Sequence, residues 1–281
     1  MPLRIAAIEF LNAAPLMWGL DADPRFELSY TLPSACADAL RAGTADLGVI
    51  PVIELARIPG LVGLGGMGVA VADGEAAEVR SILLISRCPP AAITSLALDR
   101  ASRTSAALVQ LLLRQRFGAR FTTRDGDSDW RRGLEGADAV LVIGDPALKL
   151  RVSGEAAAYH VHDLAREWRA WTGLPFVFAV WGVRAECYQQ HQGWLFDRLR
   201  ASLRQGLEQR EALVQRWAPR LQLPPGEVRR YLDENVTYAL TQAHLRGLRR
   251  FWREAAAAGW LDSPEVPELL TPTPAGEAGA S

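Results

Sequence analysis

Over its first two thirds the chain alternates short, unbroken apolar runs with longer segments whose apolar residues recur at helical spacing. A strand that is apolar on both faces is covered by helices on both sides, so the pattern predicts α/β layers containing parallel strands. Leu3 to Ile8, Phe26 to Leu32 and Asp46 to Val52 read as strands. Between them a helix begins near Asn12-Ala-Ala-Pro15, and a second runs from Pro33-Ser34 to Ala42, where Gly43 stops it. Val69 to Ala72 and Val79 to Arg87 are further strand candidates. A second α/β unit follows: strand Ile93 to Leu98, a Ser/Thr-rich turn, a helix with apolar residues at Leu108, Leu111, Leu112 and Phe117, strand Arg120 to Arg124, helix Trp130 to Leu134 and strand Ala139 to Ile143. Phe176 to Val183 is again strand-like. Beyond it the pattern is helical over 187–217, 225–235 and 241–259, with tryptophans at helical spacing that belong to the core. Residues 263–281, rich in Pro, Ala, Gly and Glu, read as a disordered tail.

Polar residues at strand ends carry the candidate chemistry, because open α/β sheets bind ligands at the carboxyl ends of their strands. Ser102-Arg103-Thr104-Ser105 opens a helix, where unpaired N–H groups and a positive dipole end can hold an anion together with the hydroxyls. Simple N-capping explains the same residues. Asn12, after the first strand, either caps its helix or meets a ligand. Arg80 and Ser81 are either a solvated strand end or a ligand-facing pair. Asp145, after Gly144, is read as the cap of a helix from Pro146 to Leu150 in preference to a direct ligand contact.

Composition removes several classes of function. A chain of 281 residues, 49% hydrophobic, buries a large core and divides into two lobes. Its formal net charge of −1, from 31 basic and 32 acidic residues spread along the chain, offers no basic arm for nucleic acid. Lys149 is the only lysine and lies in no Schiff-base motif. Cys36, Cys88 and Cys187 are odd in number and far apart, which suits a reducing compartment and gives neither a metal site nor a thiol nucleophile. His160 and His162 share a strand face, but two ligands do not make a metal site, and His191 and His244 read as surface residues. Glu9 and Asn12 interrupt the apolar start of the chain, which argues against a secretory signal, and no run reaches the length of a membrane span. The expectation is a cytoplasmic protein without metal or organic cofactor.

Six segments in order go further: Asn12-Ala-Ala-Pro-Leu, Pro33-Ser34, Val79-Arg80-Ser81, Ser102-Arg103-Thr104-Ser105, Ile143-Gly144-Asp145, and the string from Thr172-Gly-Leu-Pro to Trp181. Together they resemble the chorismate dehydratases of the futalosine route to menaquinone, over most of residues 3–260. The resemblance implies a two-lobed fold like that of type II periplasmic binding proteins, each lobe a mixed sheet flanked by helices. Lobe 1 would comprise 1–87 and 182–262, and lobe 2 would comprise 88–181. Crossovers near Ser86 and Val180 would let the lobes close on a ligand. The resemblance further implies removal of water from chorismate to give 3-[(1-carboxyvinyl)oxy]benzoate, with chorismate as the small-molecule partner, no nucleic acid or membrane partner, an open oligomeric state and no cofactor. Asn12 and Ser81 would serve catalysis. Ser34, Arg80, Ser102, Arg103, Thr104, Ser105, Gly144, Asp145 and Phe176 would bind substrate, Arg103 more as a structural or peripheral group than as a direct clamp. Val52 departs from the family, which often has a serine after Pro51, so a hydroxyl contact from that loop is lost.

Forming an aromatic ring is downhill, so positioning and charge balance supply much of what catalysis needs. No His, Cys or Lys occurs in these segments, and the substrate's own enolpyruvyl carboxylate is therefore the expected base. Three other readings share the fold. The related 1,4-dihydroxy-6-naphthoate synthase should show a histidine among its motifs, a transport receptor should carry an export signal or lipid-anchor cysteine, and a regulator's sensing domain should follow a helix-turn-helix.

Overall fold

The computed structural model describes residues 1–74, 78–99, 101–126, 129–262, 267 and 269–270. The chain starts in one lobe with β1 (Leu3–Ile8), β2 (Phe26–Thr31), β3 (Leu47–Pro51) and β4 (Leu61–Val71). It crosses to the other with β5 (Ile82–Ser86), β6 (Ser95–Leu98), β7 (Thr122–Asp125), β8 (Ala139–Ile143) and β9 (His160–Asp163). It returns with β10 (Val177–Arg184), β11 (Val236–Ala239) and β12 (Leu269–Leu270). The first sheet has the order β11-β4-β10-β3-β1-β2, with β12 beside β4, and the second the order β7-β6-β8-β5-β9. Both are mixed. β1 runs parallel to β2 and β3, and β6 parallel to β7 and β8, whereas β10 and β5 lie antiparallel between their neighbours.

The sequence-predicted strands and helices of both α/β units are present, with revised ends. Val79 to Ser81 stands outside β5, and Ile93 and Thr94 precede β6. The short turn after β1 is a 3₁₀ helix, Leu11–Met17, that tolerates Pro15 within it. Sheet membership changes earlier than the expected crossovers near Ser86 and Val180: β5 already pairs in the second sheet, and β10 pairs in the first from Val177. The apolar continuity of both strands hid this, since a fully buried strand carries no mark of which sheet it joins.

The helical stretch 187–217 breaks into Ala185–His191, Leu195–Glu208 and Arg210–Leu221. Trp217 and Trp252 are buried as expected. Most of the tail at 263–281 lies outside the described residues, but Leu269–Leu270 pairs with Gly63–Leu64 as β12, so that pair is ordered rather than disordered. No helix among the described residues is long and apolar enough to cross a membrane. Cys36 and Cys187 are buried and free, and burial pushes the Cys36 thiol up to about 12.

His244 is corrected from surface to core. Its ring is fully buried, with Nε2 2.9 Å from the Val71 carbonyl and Nδ1 2.8 Å from Thr241 Oγ1, in a capping box that opens the helix Gln242–Ala257. The arginines around it in sequence point elsewhere on the helix, and composition alone made the position look polar.

Candidate functional site

The carboxyl ends of β1, β3 and β8 and the start of the helix Arg103–Leu111 converge between the lobes on a narrow cavity of about 40 Å³. Ile8, Phe10, Val69, Ile143 and Phe178 form apolar walls, and Asn12, Ser102 and Ser105 are its polar residues. None of the described lining residues carries an ionisable side chain. In this conformation the cavity has room for a few waters at most.

The helix start at Ser102 divides its residues between two tasks. Ser102 is the N-cap: its Oγ accepts the Ser105 N–H at 3.2 Å and donates to Ser105 Oγ at 2.8 Å. Both hydroxyls line the cavity, beside first-turn N–H groups that have no intrahelical partner. Thr104 and Arg103 face the opposite lobe instead. Thr104 Oγ1 accepts the Ile53 N–H at 3.3 Å, and Arg103 pairs with Asp38 at 2.8 Å and Glu54 at 3.0 Å. Glu54, 1% exposed, also pairs with Arg41 and Arg57, which makes it the hub of an ion-pair network joining the lobes. Arg103 and Thr104 thus make contacts between the lobes, and neither is among the residues that line the cavity. A helical turn aims adjacent residues about 100° apart, so four consecutive polar residues could not all face one ligand.

Two other candidates, Ser34 and Phe176, stand outside the cavity lining, as does Val52. Ser34 gives its N–H to the Ala101 carbonyl at 3.1 Å across the lobe boundary, and its neighbour Pro33 lines the cavity instead. Phe176 is fully buried among Trp168, Phe251 and Phe178, and the residue two further along β10, Phe178, reaches the cavity. Val52 is a core residue whose carbonyl accepts the Trp252 indole N–H at 3.1 Å, with Pro51 at the cavity.

Arg80 and Ser81 form neither a solvated strand end nor a pair at the cavity wall. Arg80 holds a left-handed backbone, φ 59°, which a non-glycine residue adopts only under local constraint. The constraint is Asp163, whose buried carboxylate accepts the Val79 and Arg80 N–H groups at 3.2 and 2.7 Å while capping the helix Leu164–Thr172 through Ala165 and Arg166. The Arg80 guanidinium reaches Glu227 at 2.6 Å. Ser81 Oγ lies 2.8 Å from the buried phenol of Tyr231. Sequence reading missed Asp163, Glu227, Tyr231 and Phe178. Asp163 left a signal, an acidic residue directly before a helical segment, and Phe178 lay within the segment ending at Trp181 that the sequence singled out.

Gly144 and Asp145 close the site from the second lobe. Gly144 has φ 66° and donates its N–H to the Ser81 carbonyl at 2.7 Å, and a Cβ there would stand 2.7 Å from the Phe10 ring, so glycine is required. Asp145 does not cap its own helix, Gly144–Ser153, which begins without a side-chain cap. Its carboxylate accepts the Leu11 N–H at 3.1 Å and thereby caps the 3₁₀ helix of the other lobe. Burial pushes Asp145 up to about 6, against the opposing pull of that N–H bond.

A carboxyl with a folded value above its unfolded one keeps its proton in the folded state between about pH 4 and 6, while the unfolded chain has released it. Its contribution to stability therefore falls as pH rises through that window and is level above it. Relative to Asp145→Asn, the wild-type protein is expected to lose on the order of 2 kcal/mol between pH 4 and 7, measured by urea unfolding at both values. A pH-independent difference between the two proteins would count against the assignment.

The comparisons with known proteins follow from this geometry. A family described as menaquinone biosynthesis matches residues 3–257. A chorismate dehydratase of Thermus thermophilus is 29% identical over 268 residues, 89% of this chain and 94% of that protein. Among solved structures, a protein of Archaeoglobus fulgidus superposes with a TM-score of 0.73 at 16% identity, covering 92% of this chain and 98% of its own. The alkanesulfonate-binding protein of Xanthomonas axonopodis gives 0.67 at 15%, covering 96% and 98%. These likenesses show the two-lobed fold of periplasmic binding proteins. With a family match spanning both lobes and every segment that builds the cavity, the chain belongs to the menaquinone-biosynthesis family.

Proposed function

We propose that this protein is a chorismate dehydratase, a hydro-lyase that converts chorismate into 3-[(1-carboxyvinyl)oxy]benzoate and water. The observation that carries this reading is the placement of Asn12 and the Ser102–Ser105 helix start on one narrow apolar cavity, in a chain whose curated relative bears that activity. Chorismate is a ring acid with a second carboxylate on its enolpyruvyl arm. The hydroxyls of Ser102 and Ser105 and the N–H groups of that helix start take one carboxylate. Phe10 and Phe178 hold the ring.

In the reaction a ring C–H bond breaks, its electron pair forms the new ring double bond, and the adjacent C–O bond breaks with departure of the hydroxyl. The lining residues offer no base. The enolpyruvyl carboxylate takes the ring proton and passes it to the departing hydroxyl, which leaves as water. Holding that arm over the ring makes the proton transfer intramolecular, a large gain in effective concentration. The Asn12 amide donates to the hydroxyl oxygen as negative charge develops there. Arg103, Thr104 and Asp145 act by holding the lobes together around the ring and excluding water. The free buried thiols of Cys36 and Cys187 support a cytoplasmic location.

Incubation of the purified protein with chorismate is expected to yield a product lighter by one water with the absorbance of a substituted benzoate. Unchanged chorismate in the presence of folded protein would overturn the reading, and tight binding without turnover would assign a receptor instead.

A further inference from the structure

The first lobe carries a second, larger pocket, of about 470 Å³, formed by the 3₁₀ helix Leu11–Met17 and the turn after it, β2 and the helix Arg210–Leu221. Every described residue lining it comes from that lobe, and only Ile8 is shared with the cavity between the lobes. A volume of this order accommodates a small organic molecule.

The pocket has an apolar floor and a polar rim. Ile8, Met17, Leu213 and Trp217 are buried, and Trp18 is half-buried. Glu9, Asp21, Arg216 and Arg220 are exposed, together with Tyr30. Among the described residues the exposed large apolar side chains are Met1, Tyr30 and Leu32, so Tyr30, at 48%, is the one aromatic ring of that group. A ring left in water beside a pocket gains by covering a flat ligand.

The four charges of the rim are not equivalent. Arg220 and Glu9 pair with each other at 2.6 Å, and the Arg220 guanidinium lies 4.7 Å from the centre of the Trp217 ring. Those two charges are already balanced. Asp21 and Arg216 have no side-chain hydrogen bond or ion pair to any described residue. One unpaired carboxylate and one unpaired guanidinium thus stand around an aromatic floor. An anion would meet Arg216 and be opposed by Asp21, and a cation would meet the reverse. A ligand that carries both charges on an aromatic body satisfies both side chains and the floor.

We propose that this pocket is a second ligand site, for a small aromatic zwitterion of the α-amino-acid class, with its ring against Trp18 and Tyr30, its carboxylate on Arg216 and its ammonium on Asp21. The site is independent of the dehydratase reading, since none of its charged side chains lines the cavity between the lobes.

The test is titration calorimetry of the purified protein with phenylalanine and two analogues that each lack one charge, 3-phenylpropionate and phenethylamine. Phenylalanine is expected to bind at least about tenfold more tightly than either analogue, because each leaves one rim charge without its partner. Arg216→Ala should weaken phenylalanine by about tenfold or more and leave phenethylamine unchanged, and Asp21→Asn should do the same with 3-phenylpropionate as the unchanged ligand. Both residues are exposed, so neither substitution disturbs the core. No heat with phenylalanine up to about 10 mM would overturn the site. Equal binding of 3-phenylpropionate would overturn the role of Asp21 and leave a site for anions. Phenylalanine binding undiminished in both variants would place the ligand elsewhere and reject the pocket. Chorismate turnover, assayed separately, stands or falls on its own in each case.

Discussion

Asn12→Ala is expected to lower kcat for chorismate dehydration by about 100-fold to 1,000-fold, the range seen when one preorganised donor to a developing negative charge is removed. KM should move by less than about threefold. The split follows from where Asn12 stands. In the proposed binding mode the carboxylate is held by the Ser102 helix start in the other lobe, whereas Asn12 lies just after β1 among the residues lining the cavity. It does not cap the 3₁₀ helix it belongs to, because the Leu11 N–H is satisfied by Asp145 and no side-chain cap is present. Alanine at this position therefore leaves the local fold intact, and a loss of turnover reports on chemistry. A large rise in KM with unchanged kcat would place Asn12 among the ground-state contacts and reject its role at the departing hydroxyl.

Asp163→Ala is expected to destabilise the protein by about 4 kcal/mol or more. Its carboxylate accepts four buried or part-buried N–H groups, from Val79, Arg80, Ala165 and Arg166, and each donor left unpaired costs about 1 to 3 kcal/mol. That is a large share of the roughly 5 to 15 kcal/mol that holds an ordinary domain together.

Asp163→Asn separates the two ends of this carboxylate. Oδ1 receives Val79, Ala165 and Arg166, while Oδ2 alone receives Arg80, so the amide retains the helix cap and sets an N–H against the Arg80 N–H. The asparagine variant should remain folded with a loss of about 1 to 3 kcal/mol and should lose turnover as Ser81 shifts from Tyr231. Denaturant unfolding with parallel assays checks both. An asparagine variant with wild-type kcat would show that the left-handed turn at Arg80 has no bearing on the reaction.

The order of secondary structure was legible before any coordinates because it rests on local physics. Unbroken apolar runs gave strands covered on both faces, Gly43 ended its helix in a left-handed cap, and Ser102 capped the next with its own hydroxyl. The segments that build the cavity were legible as well, since strand ends and helix starts are where an α/β sheet binds ligands. Which side chain of each segment faces the cavity was not. Thr104 and Ser105 differ by one helical step, Phe176 and Phe178 by one pleat, and the choice between them depends on how the opposite lobe is docked.

Asp145 shows the same limit in another form. An acidic residue at a helix start looks like that helix's cap, yet its partner is the Leu11 N–H, 134 positions away in the chain. His244 and Tyr231 lie in polar, arginine-rich helices and are nonetheless buried, because burial belongs to one face of a helix and the packing partner of that face is distant in sequence. The sequence by itself determined the elements and the two-lobed class, since propensity, capping and apolar periodicity act over a few residues. The tertiary structure alone decided the junction of Tyr231, the Arg80–Ser81 crossover and Asp163, since these come from the C-terminal helices, the connection between the sheets and β9, and only the packing of the lobes brings them within hydrogen-bond reach.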